Sequence, residues 1–247
     1  MKIAVISDVH GNQEALDAVL EDIKLQNCEK IFCLGDYAMA GPEPVEVINK
    51  FIELNNNNGN KLIQGNTDLM IANYTEETYN DLKITAPVMA EALKNDLSLI
   101  SNVQKDFLKN LPPKLEVEAD GVKILLVHGS PRKNNENILP ETPLEEVEKM
   151  LEGVNADVVL CGHTHLPCGF QLKNKRTVVN VGSVGRPFTE KPDACYLVLT
   201  INNGRCLFEH RFVKYDKEKA SQKLLNRNFD GKERLAETLL NPKERHF

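Results

Sequence analysis

The turn at residues 160–165 reads LCGHTH and places two histidines, His163 and His165, one residue apart. A neutral imidazole is a good ligand for borderline metal ions. Side chains two residues apart point to different sides of a helix, whereas a loop just past a strand end can aim both of them inward. The turn alone also fits one exposed and one hydrogen-bonded histidine, so the rest of the chain has to decide.

Four other short segments carry metal-binding residue types directly after apolar, strand-like runs. They are Asp8-Val9-His10, Gly35-Asp36, Gly65-Asn66-Thr67-Asp68 and His128-Gly129. In open α/β sheets ligands bind outside the carboxyl ends of the strands, so these side chains can converge. A single Asp or Asn after a strand is usually a cap or turn former. Five such segments in matching positions predict a metal site.

The number of candidate ligands favours two metal ions. The set supplies two aspartates, one asparagine and four of the six histidines of the chain. One ion rarely takes more than six ligands, and a catalytic ion needs open positions. Two ions about 3.5–4 Å apart that share a bridging carboxylate fit the count and can bind a phosphoryl group and a nucleophilic hydroxide. They would also supply a local positive centre in a chain of net charge −6.

The elements that position these residues follow an α/β pattern. Strands at 2–7, 30–34 and 61–64 alternate with helical segments, which predicts a largely parallel sheet. Residues 69–111 are expected to form a helical insert. The strands at 169–172, 177–181, 194–200 and 205–213 are expected to form an antiparallel meander in a second sheet. We therefore expect one domain over 1–215, and a helical tail over 216–247 that packs on it.

Composition limits the partners and the compartment. The acidic net charge of −6 provides no basic footprint, so nucleic acid is not the expected partner. No stretch approaches the roughly 18 apolar residues of a membrane helix, and MKIAVISDVHGN does not resemble a signal peptide. The six cysteines include no CxxC pair and are expected to be free thiols. A cytoplasmic protein is expected, and a homo-oligomer stays open.

The motif series DVH…GD…GNTD…HG…GHTH resembles the calcineurin-like metallophosphoesterase family, in which these motifs carry a dinuclear metal site. NVGSVGRP (180–187) and GDYAMAGPEP (35–44) are similar to loops of its small prokaryotic, phosphodiesterase-like members. The resemblance implies a four-layer α/β/β/α sandwich of two mixed sheets. It also implies that Asp36 bridges two ions. The remaining ligands it assigns are Asp8, His10 and His165 for the first ion, and Asn66, His128 and His163 for the second.

The function implied is hydrolysis of phosphodiester, phosphoanhydride or activated phosphomonoester bonds by a metal-bridging hydroxide, with Asn66 and His128 as catalytic residues. Dinucleoside polyphosphates are among the implied substrates, so the partner is a small phosphate ester or nucleotide. Mixed nitrogen and oxygen ligation permits Mn²⁺, Fe, Ni²⁺, Co²⁺ or Zn²⁺. The alternative is a non-enzymatic scaffold on the same fold, as in a retromer subunit that resembles this family. Such a scaffold need not keep all seven ligands, which this chain does.

One position departs from the family pattern, since Thr67 stands where many members have a histidine. That histidine is credited with protonating the leaving oxygen, which threonine cannot do, so substrates with good leaving groups are expected. Asp68 then has no histidine to orient and is expected to bind a loop amide or Asn66. Thr67 and Arg186 are predicted to contact substrate, with Arg132 as a weaker candidate. Tyr37 is open between base stacking and core packing.

Overall fold

The protein is described by a computed structural model that covers residues 1–57, 59–173 and 175–242. Within these residues ten strands form two mixed sheets of five. The first sheet contains, in spatial order, β10 (Arg205–Val213), β9 (Ala194–Asn202), β1 (Lys2–Ile6), β2 (Lys30–Cys33) and β3 (Lys61–Leu62). The second contains β4 (Lys114–Ala119), β5 (Val122–Val127), β6 (Val158–Cys161), β8 (Thr177–Asn180) and β7 (Cys168–Gln171).

Helices cover the outer face of each sheet. They are α1 (Gln13–Leu25), α2 (Pro44–Asn55), α3 (Asn66–Ala72), α4 (Glu76–Thr85), α5 (Pro87–Leu99), α6 (Asn102–Asn110), α7 (Leu144–Met150), α8 (Lys217–Leu225) and α9 (Lys232–Leu240). Most of them share one core with the first sheet, and that core includes Leu93 of α5 and Leu224 of α8. The face of the second sheet packs against Val147 and Met150 of α7. Among the described residues, no helix is both long enough and apolar enough to span a membrane.

The alternation of side chains along the strands produces the four layers. On β1, Ile3 and Val5 face the second sheet, whereas Ala4 and Ile6 face the helices, and all four are fully buried. Successive strand residues point to opposite faces, so a strand that is apolar on both faces belongs in the middle of a sandwich. The α/β/β/α architecture that the resemblance implied is confirmed.

The expected antiparallel meander is wrong. β8 pairs in parallel with β6 in the second sheet, with β7 antiparallel to β8 at the edge. β9 and β10 return to the first sheet, where β9 pairs antiparallel to β1. The cause is the burial of β9, because eight of its nine residues are at least partly buried and need apolar contacts on both faces. The centre of the first sheet provides those contacts, whereas an outer meander leaves one face in water.

Candidate metal centre

All five predicted segments lie at one edge of the two sheets. Asp8 and Asp36 follow β1 and β2, and Asn66 begins α3 just after β3. In the second sheet, His128 follows β5 directly, and the GHTH turn follows β6. These strands run parallel within their sheets, so their carboxyl ends meet at the same place. The seven predicted ligands are therefore brought together.

The backbone at this edge is strained. Five of the seven predicted ligands have a positive φ, namely Asp8 (56°), His10 (47°), Asp36 (57°), His163 (66°) and His165 (59°). A non-glycine residue in the left-handed region costs roughly 1–2 kcal/mol. Hydrogen bonds between the loops hold this geometry, for example from the amide of Asp8 to the carbonyl of Gly35 (3.0 Å). Such strain marks a functional site, because it persists only where the surrounding structure enforces it.

Asp8, His10 and His165 form the first cluster of possible ligands. Nδ1 of His10 lies 3.0 Å from the carbonyl oxygen of Met39, and Nδ1 of His165 lies 2.6 Å from that of Arg186. A carbonyl oxygen can only accept, so each Nδ1 carries the ring proton and each Nε2 presents a lone pair. These two Nε2 atoms face each other at 3.1 Å. Two lone pairs at this separation repel unless a cation lies beside them.

Asp8 adds a second sign of a cation. Its Oδ2 accepts a hydrogen bond from the backbone amide of His163 (3.0 Å). Its Oδ1 is buried without a hydrogen-bond partner and lies 3.3 Å from Nε2 of His165. Burial disfavours the charged carboxyl, but the positive charges that His165 and His128 carry when they are protonated outweigh it and lower the pKa of Asp8 to about 2. A buried, ionised oxygen with no donor is the atom that a metal ion would bind.

The second cluster is built around His128 and Asp36, and it shares Asp8 with the first cluster. Nδ1 of His128 donates to the carbonyl oxygen of Leu34 (2.8 Å), so its Nε2 also faces the centre. That Nε2 lies 3.0 Å from Oδ1 of Asn66 and 3.4 Å from Oδ2 of Asp36. Burial opposes a charge on His128, yet Asp36 and Asp8 outweigh it and raise its pKa to about 10. The carboxylates that favour a proton on the buried His128 would also favour a divalent cation at the same place.

Asp36 lies between the two clusters. Its Oδ2 is 3.7 Å from Nε2 of His10 and 3.4 Å from Nε2 of His128. Burial favours the neutral carboxyl, but the charges of His128 and His10 hold the pKa of Asp36 far below its usual range. His163 packs edge-on against His128 with ring centroids 5.2 Å apart and borders the cleft. The donor set combines imidazole nitrogens, carboxylate oxygens and the unpaired Oδ1 of Asp8, and it fits divalent metal ions.

The GHTH turn depends on its glycine. A Cβ at Gly162 would lie 2.1 Å from Oγ of Ser7 and 2.5 Å from Oδ2 of Asp8, closer than atoms can approach. The turn is also held by Asn180, whose Nδ2 donates to the carbonyl oxygen of Gly162 (2.7 Å) and to Oγ1 of Thr164 (2.9 Å). Sequence reasoning missed Asn180, although it begins the NVGSVGRP motif. Asn180 therefore orients the loop that carries two predicted ligands.

Thr67 and Asp68 both act on the loop of Asp36. The amide of Thr67 donates to Oδ1 of Asp36 (2.9 Å), its hydroxyl donates to the carbonyl oxygen of Ala38 (3.2 Å), and its side chain borders the cleft. The buried Asp68 accepts hydrogen bonds from the amides of Asp36, Tyr37 and Gly65. Asp68 binds loop amides, as expected, and shapes the loop that carries Asp36.

A cleft of about 320 Å³ opens above the two clusters. Its polar wall includes Thr67 and Arg186 together with five of the predicted ligands, and its apolar wall includes Met89, Leu139, Leu166 and Phe188. Phe188 stacks on the ring of His165 with centroids 4.5 Å apart. The cleft gives a ligand direct access to the candidate metal centre.

Two weaker candidates from the sequence lie away from the cleft. Arg132 is exposed and forms an ion pair with Glu136, and it is not among the residues that line the cleft. Tyr37 is fully buried, donates its hydroxyl to the carbonyl oxygen of Ile63 (2.8 Å) and packs edge-on against Phe51. Base stacking by Tyr37 is therefore wrong, because its ring belongs to the core.

The buried ion pair between Asp96 and Arg227, which sequence reasoning missed, supports the loop that orients His10. The carbonyl oxygen of Met39 accepts from His10, and the amide of Met39 donates to Oδ2 of Asp96 in α5 (2.8 Å). Oδ1 of Asp96 accepts from Nη2 of Arg227 (2.6 Å), a residue that follows α8. Nη1 of Arg227 donates to the carbonyl oxygen of Gly41 (2.6 Å). The loop behind His10 is thus held from two helical regions at once.

Comparison with known proteins agrees with the family resemblance of the sequence motifs. The family model of the calcineurin-like phosphoesterase superfamily domain matches residues 1–204. An uncharacterized protein of Methanocaldococcus jannaschii is 30% identical over 240 residues, which cover 90% of this chain and 91% of the relative. A hypothetical protein of Pyrococcus horikoshii has a similar structure, with a TM-score of 0.86, 24% identity and 99% of both chains covered. A metallophosphoesterase of Sphaerobacter thermophilus matches with a TM-score of 0.76 and 23% identity over 98% of this chain and 100% of the other.

Proposed function

Because the chain belongs to the calcineurin-like phosphoesterase superfamily, we propose that it is a phosphoesterase that uses two divalent metal ions. The proposed reaction is hydrolysis of phosphodiester, phosphoanhydride or activated phosphomonoester bonds. The observation that carries the proposal is the position of Asp36, whose Oδ2 lies 3.7 Å from Nε2 of His10 in the first cluster and 3.4 Å from Nε2 of His128 in the second. A carboxylate shared in this way is the expected bridge of a dinuclear site.

The ligands divide between the two ions by position. Asp8, His10 and His165 are proposed to hold the first ion, and Asn66, His128 and His163 the second, with Asp36 bound to both. Ions held there would activate a water molecule and draw negative charge from the phosphoryl oxygens. Mn²⁺, Fe, Ni²⁺, Co²⁺ and Zn²⁺ are all compatible with mixed nitrogen and oxygen ligands.

The protein's own residues orient the metal ligands and receive the substrate. The backbone carbonyls of Met39, Leu34 and Arg186 fix the ring orientation of three histidines, as carbonyls do around metal-binding histidines in general. Asn66 and His128 are proposed as the catalytic residues, because Asn66 lines the cleft and its Oδ1 lies 3.0 Å from Nε2 of His128, so both would face a group bound at the second ion. Arg186 and Thr67 line the cleft and are proposed to contact the substrate.

We expect metal-free protein to be inactive, and added Mn²⁺ to restore hydrolysis of bis-nitrophenyl phosphate, nitrophenyl phosphate or diadenosine tetraphosphate. The reason is that, among the described residues that line the cleft, only the candidate ligands could activate the attacking water. Release of product would be followed with and without the metal, beside a measurement of bound metal. Protein that binds two metal ions per chain but hydrolyses none of the three substrates would favour the scaffold alternative.

Because threonine stands at position 67, we expect the enzyme to prefer substrates with good leaving groups. Since a general acid contributes typically about 10²–10⁴-fold and threonine cannot supply its proton, nitrophenyl phosphate should be hydrolysed at least roughly 100-fold more efficiently than glycerol phosphate. The measurement is the ratio of kcat/KM for the two esters. Thr67→His should narrow this ratio, whereas the near-isosteric Thr67→Val should leave it unchanged. Equal turnover of both esters by the wild type would contradict the role given to Thr67.

A further inference from the structure

Arg186 is a buried charge without a counter-ion. Its side chain is only 5% exposed, and its Nε has no hydrogen-bond partner. Its other two nitrogens have weak partners, with Nη1 3.8 Å from Sδ of Met89 and Nη2 3.4 Å from Oγ1 of Thr238. Among the residues that the structure describes, no carboxylate forms an ion pair with it. A guanidinium has five N–H donors, and most of these are left for a ligand.

The other deeply buried arginine shows what a compensated charge looks like in this fold. Arg227 is 7% exposed, and its Nε also has no partner, but its terminal nitrogens donate to Asp96, Asn95 and the carbonyl oxygen of Gly41, each at 2.6 Å. A buried charge is costly unless it is paired and hydrogen-bonded. Burial alone lowers the pKa of Arg186 to about 10, so the side chain remains charged at neutral pH. The described residues supply no anion to Arg186, which leaves its charge free to bind an anionic ligand.

The position of Arg186 identifies which anion this is. The residue lines the cleft above the candidate metal centre, and its backbone carbonyl accepts from the ring of His165. Its guanidinium instead reaches Met89 at the start of α5, which also lines the cleft, and Thr238 in α9. None of the seven predicted metal ligands is hydrogen-bonded to the guanidinium in the described residues. Metal ions held by the two clusters and Arg186 would thus be two separate positive groups in one cleft.

We propose that Arg186 binds a second phosphate group of the substrate, next to the phosphoryl group that is attacked. This inference rests on the proposed function, since it places the attacked group at the metal ions. It favours substrates with adjacent phosphates, that is, organic pyrophosphates and nucleoside polyphosphates. The planar guanidinium matches the geometry of a phosphate and can bind it through two hydrogen bonds. Leu139, Leu166 and Phe188 line the same cleft and provide apolar contacts for the organic part.

The first test compares the binding of an anion that has one phosphate group with the binding of an anion that has two phosphorus groups. Binding of inorganic phosphate and of methylenediphosphonate, a pyrophosphate analogue that resists hydrolysis, would be measured calorimetrically on Mn²⁺-loaded protein. Arg186→Met should weaken the binding of methylenediphosphonate by roughly 10- to 100-fold, as expected for lost charge-assisted hydrogen bonds. It should weaken the binding of inorganic phosphate by less than about threefold. Arg186→Lys keeps the positive charge but loses the planar guanidinium, so its loss of methylenediphosphonate binding should be intermediate. Equal weakening of both anions would overturn the proposal, because Arg186 would then bind the attacked group itself.

The second test uses the stability of the protein without ligand. Because the unpaired charge disfavours folding, Arg186→Met should raise Tm by about 2–4 °C, and methylenediphosphonate should stabilise the wild type far more than the variant. Arg132→Met is the matched control, since Arg132 is exposed, paired with Glu136 and outside the cleft. A fall in Tm for Arg186→Met would show that the arginine is structural. These readouts need no turnover, so an inactive wild type would count against the proposed function alone.

Discussion

Asp36→Asn should abolish metal-dependent hydrolysis, with kcat/KM falling by about a thousandfold or more. Oδ2 of Asp36 lies between the two ligand clusters, so the substitution removes one negative charge beside both ions. A pair of unit charges 4 Å apart interacts by about 4 kcal/mol at an effective dielectric constant of 20, and roughly 1.4 kcal/mol corresponds to tenfold in affinity. The loss is larger for a divalent ion, and an asparagine amide would also point a donor at the cluster.

Metal content distinguishes this effect from misfolding. The wild type should bind two Mn²⁺ per chain, whereas Asp36→Asn should bind at most one tightly, as measured by elemental analysis of dialysed protein. Circular dichroism would check that the variant remains folded. Asp81→Asn is the matched control, because Asp81 is exposed on α4, is not a predicted ligand and does not line the cleft, so the same charge is removed outside the site. Two tightly bound ions and full activity in Asp36→Asn would refute a bridging role.

The position of the site was predictable because its signal is local. Asp8, Asp36 and His128 directly follow short apolar runs, and the ends of parallel strands converge in any α/β sandwich. The residue types then indicate the chemistry without knowledge of the tertiary packing. The same reasoning covers the two histidines of the GHTH turn, whereas the closeness of Gly162 to Asp8 and the hydrogen bonds from Asn180 are visible only in the folded structure.

The pairing of the late strands was not predictable, because a hydrophobic strand does not specify its neighbour. β9 is apolar on both faces, which any central position in either sheet would satisfy. Its place beside β1 is decided by the packing of Leu197 and Leu199 between the sheets and of Tyr196 against the helices. This information lies in the assembled core and not in the periodicity of the segment.

Asp96 is a residue that sequence reasoning missed although a signal exists. It follows Ala92 and Leu93 by four and three residues in α5, so it lies on the buried face of that helix. A carboxylate on an apolar helical face requires a buried partner. That partner, Arg227, lies 131 residues away in the chain and has no comparable pattern around it. The contact is visible only in the folded structure.

Arg227→Met should destabilise the protein by about 3–5 kcal/mol, the cost of leaving one member of a buried ion pair without its partner. Asp96 is fully buried, and burial already raises its pKa to about 6 despite the opposing charge of Arg227. Without the guanidinium, the carboxylate would lose its charge partner and Gly41 would lose a donor to its carbonyl oxygen. Urea denaturation would measure the difference in the free energy of unfolding.

A surface pair provides the comparison for this prediction. Arg211 forms a similar two-point ion pair with Asp22, but both side chains are partly exposed to water. Arg211→Met should therefore cost no more than about 1 kcal/mol. Joining Asp96→Asn to Arg227→Met removes both buried charges and should recover part of the lost stability. Equal losses in the two single arginine variants would show that burial does not decide the strength of these pairs.

Arg227→Met should also weaken metal binding, because Arg227 and Asp96 hold the loop that orients His10. Met39 and Ala40 in that loop both have positive φ angles, 79° and 65°, so the loop would relax once its restraints are removed. The carbonyl oxygen of Met39 fixes the ring of His10, and loss of such a supporting partner typically lowers metal affinity by about 10–100-fold. Mn²⁺ titration of folded Arg227→Met, well below its denaturation midpoint, would measure this. Unchanged affinity beside reduced stability would mean that the ion pair supports the fold without positioning His10.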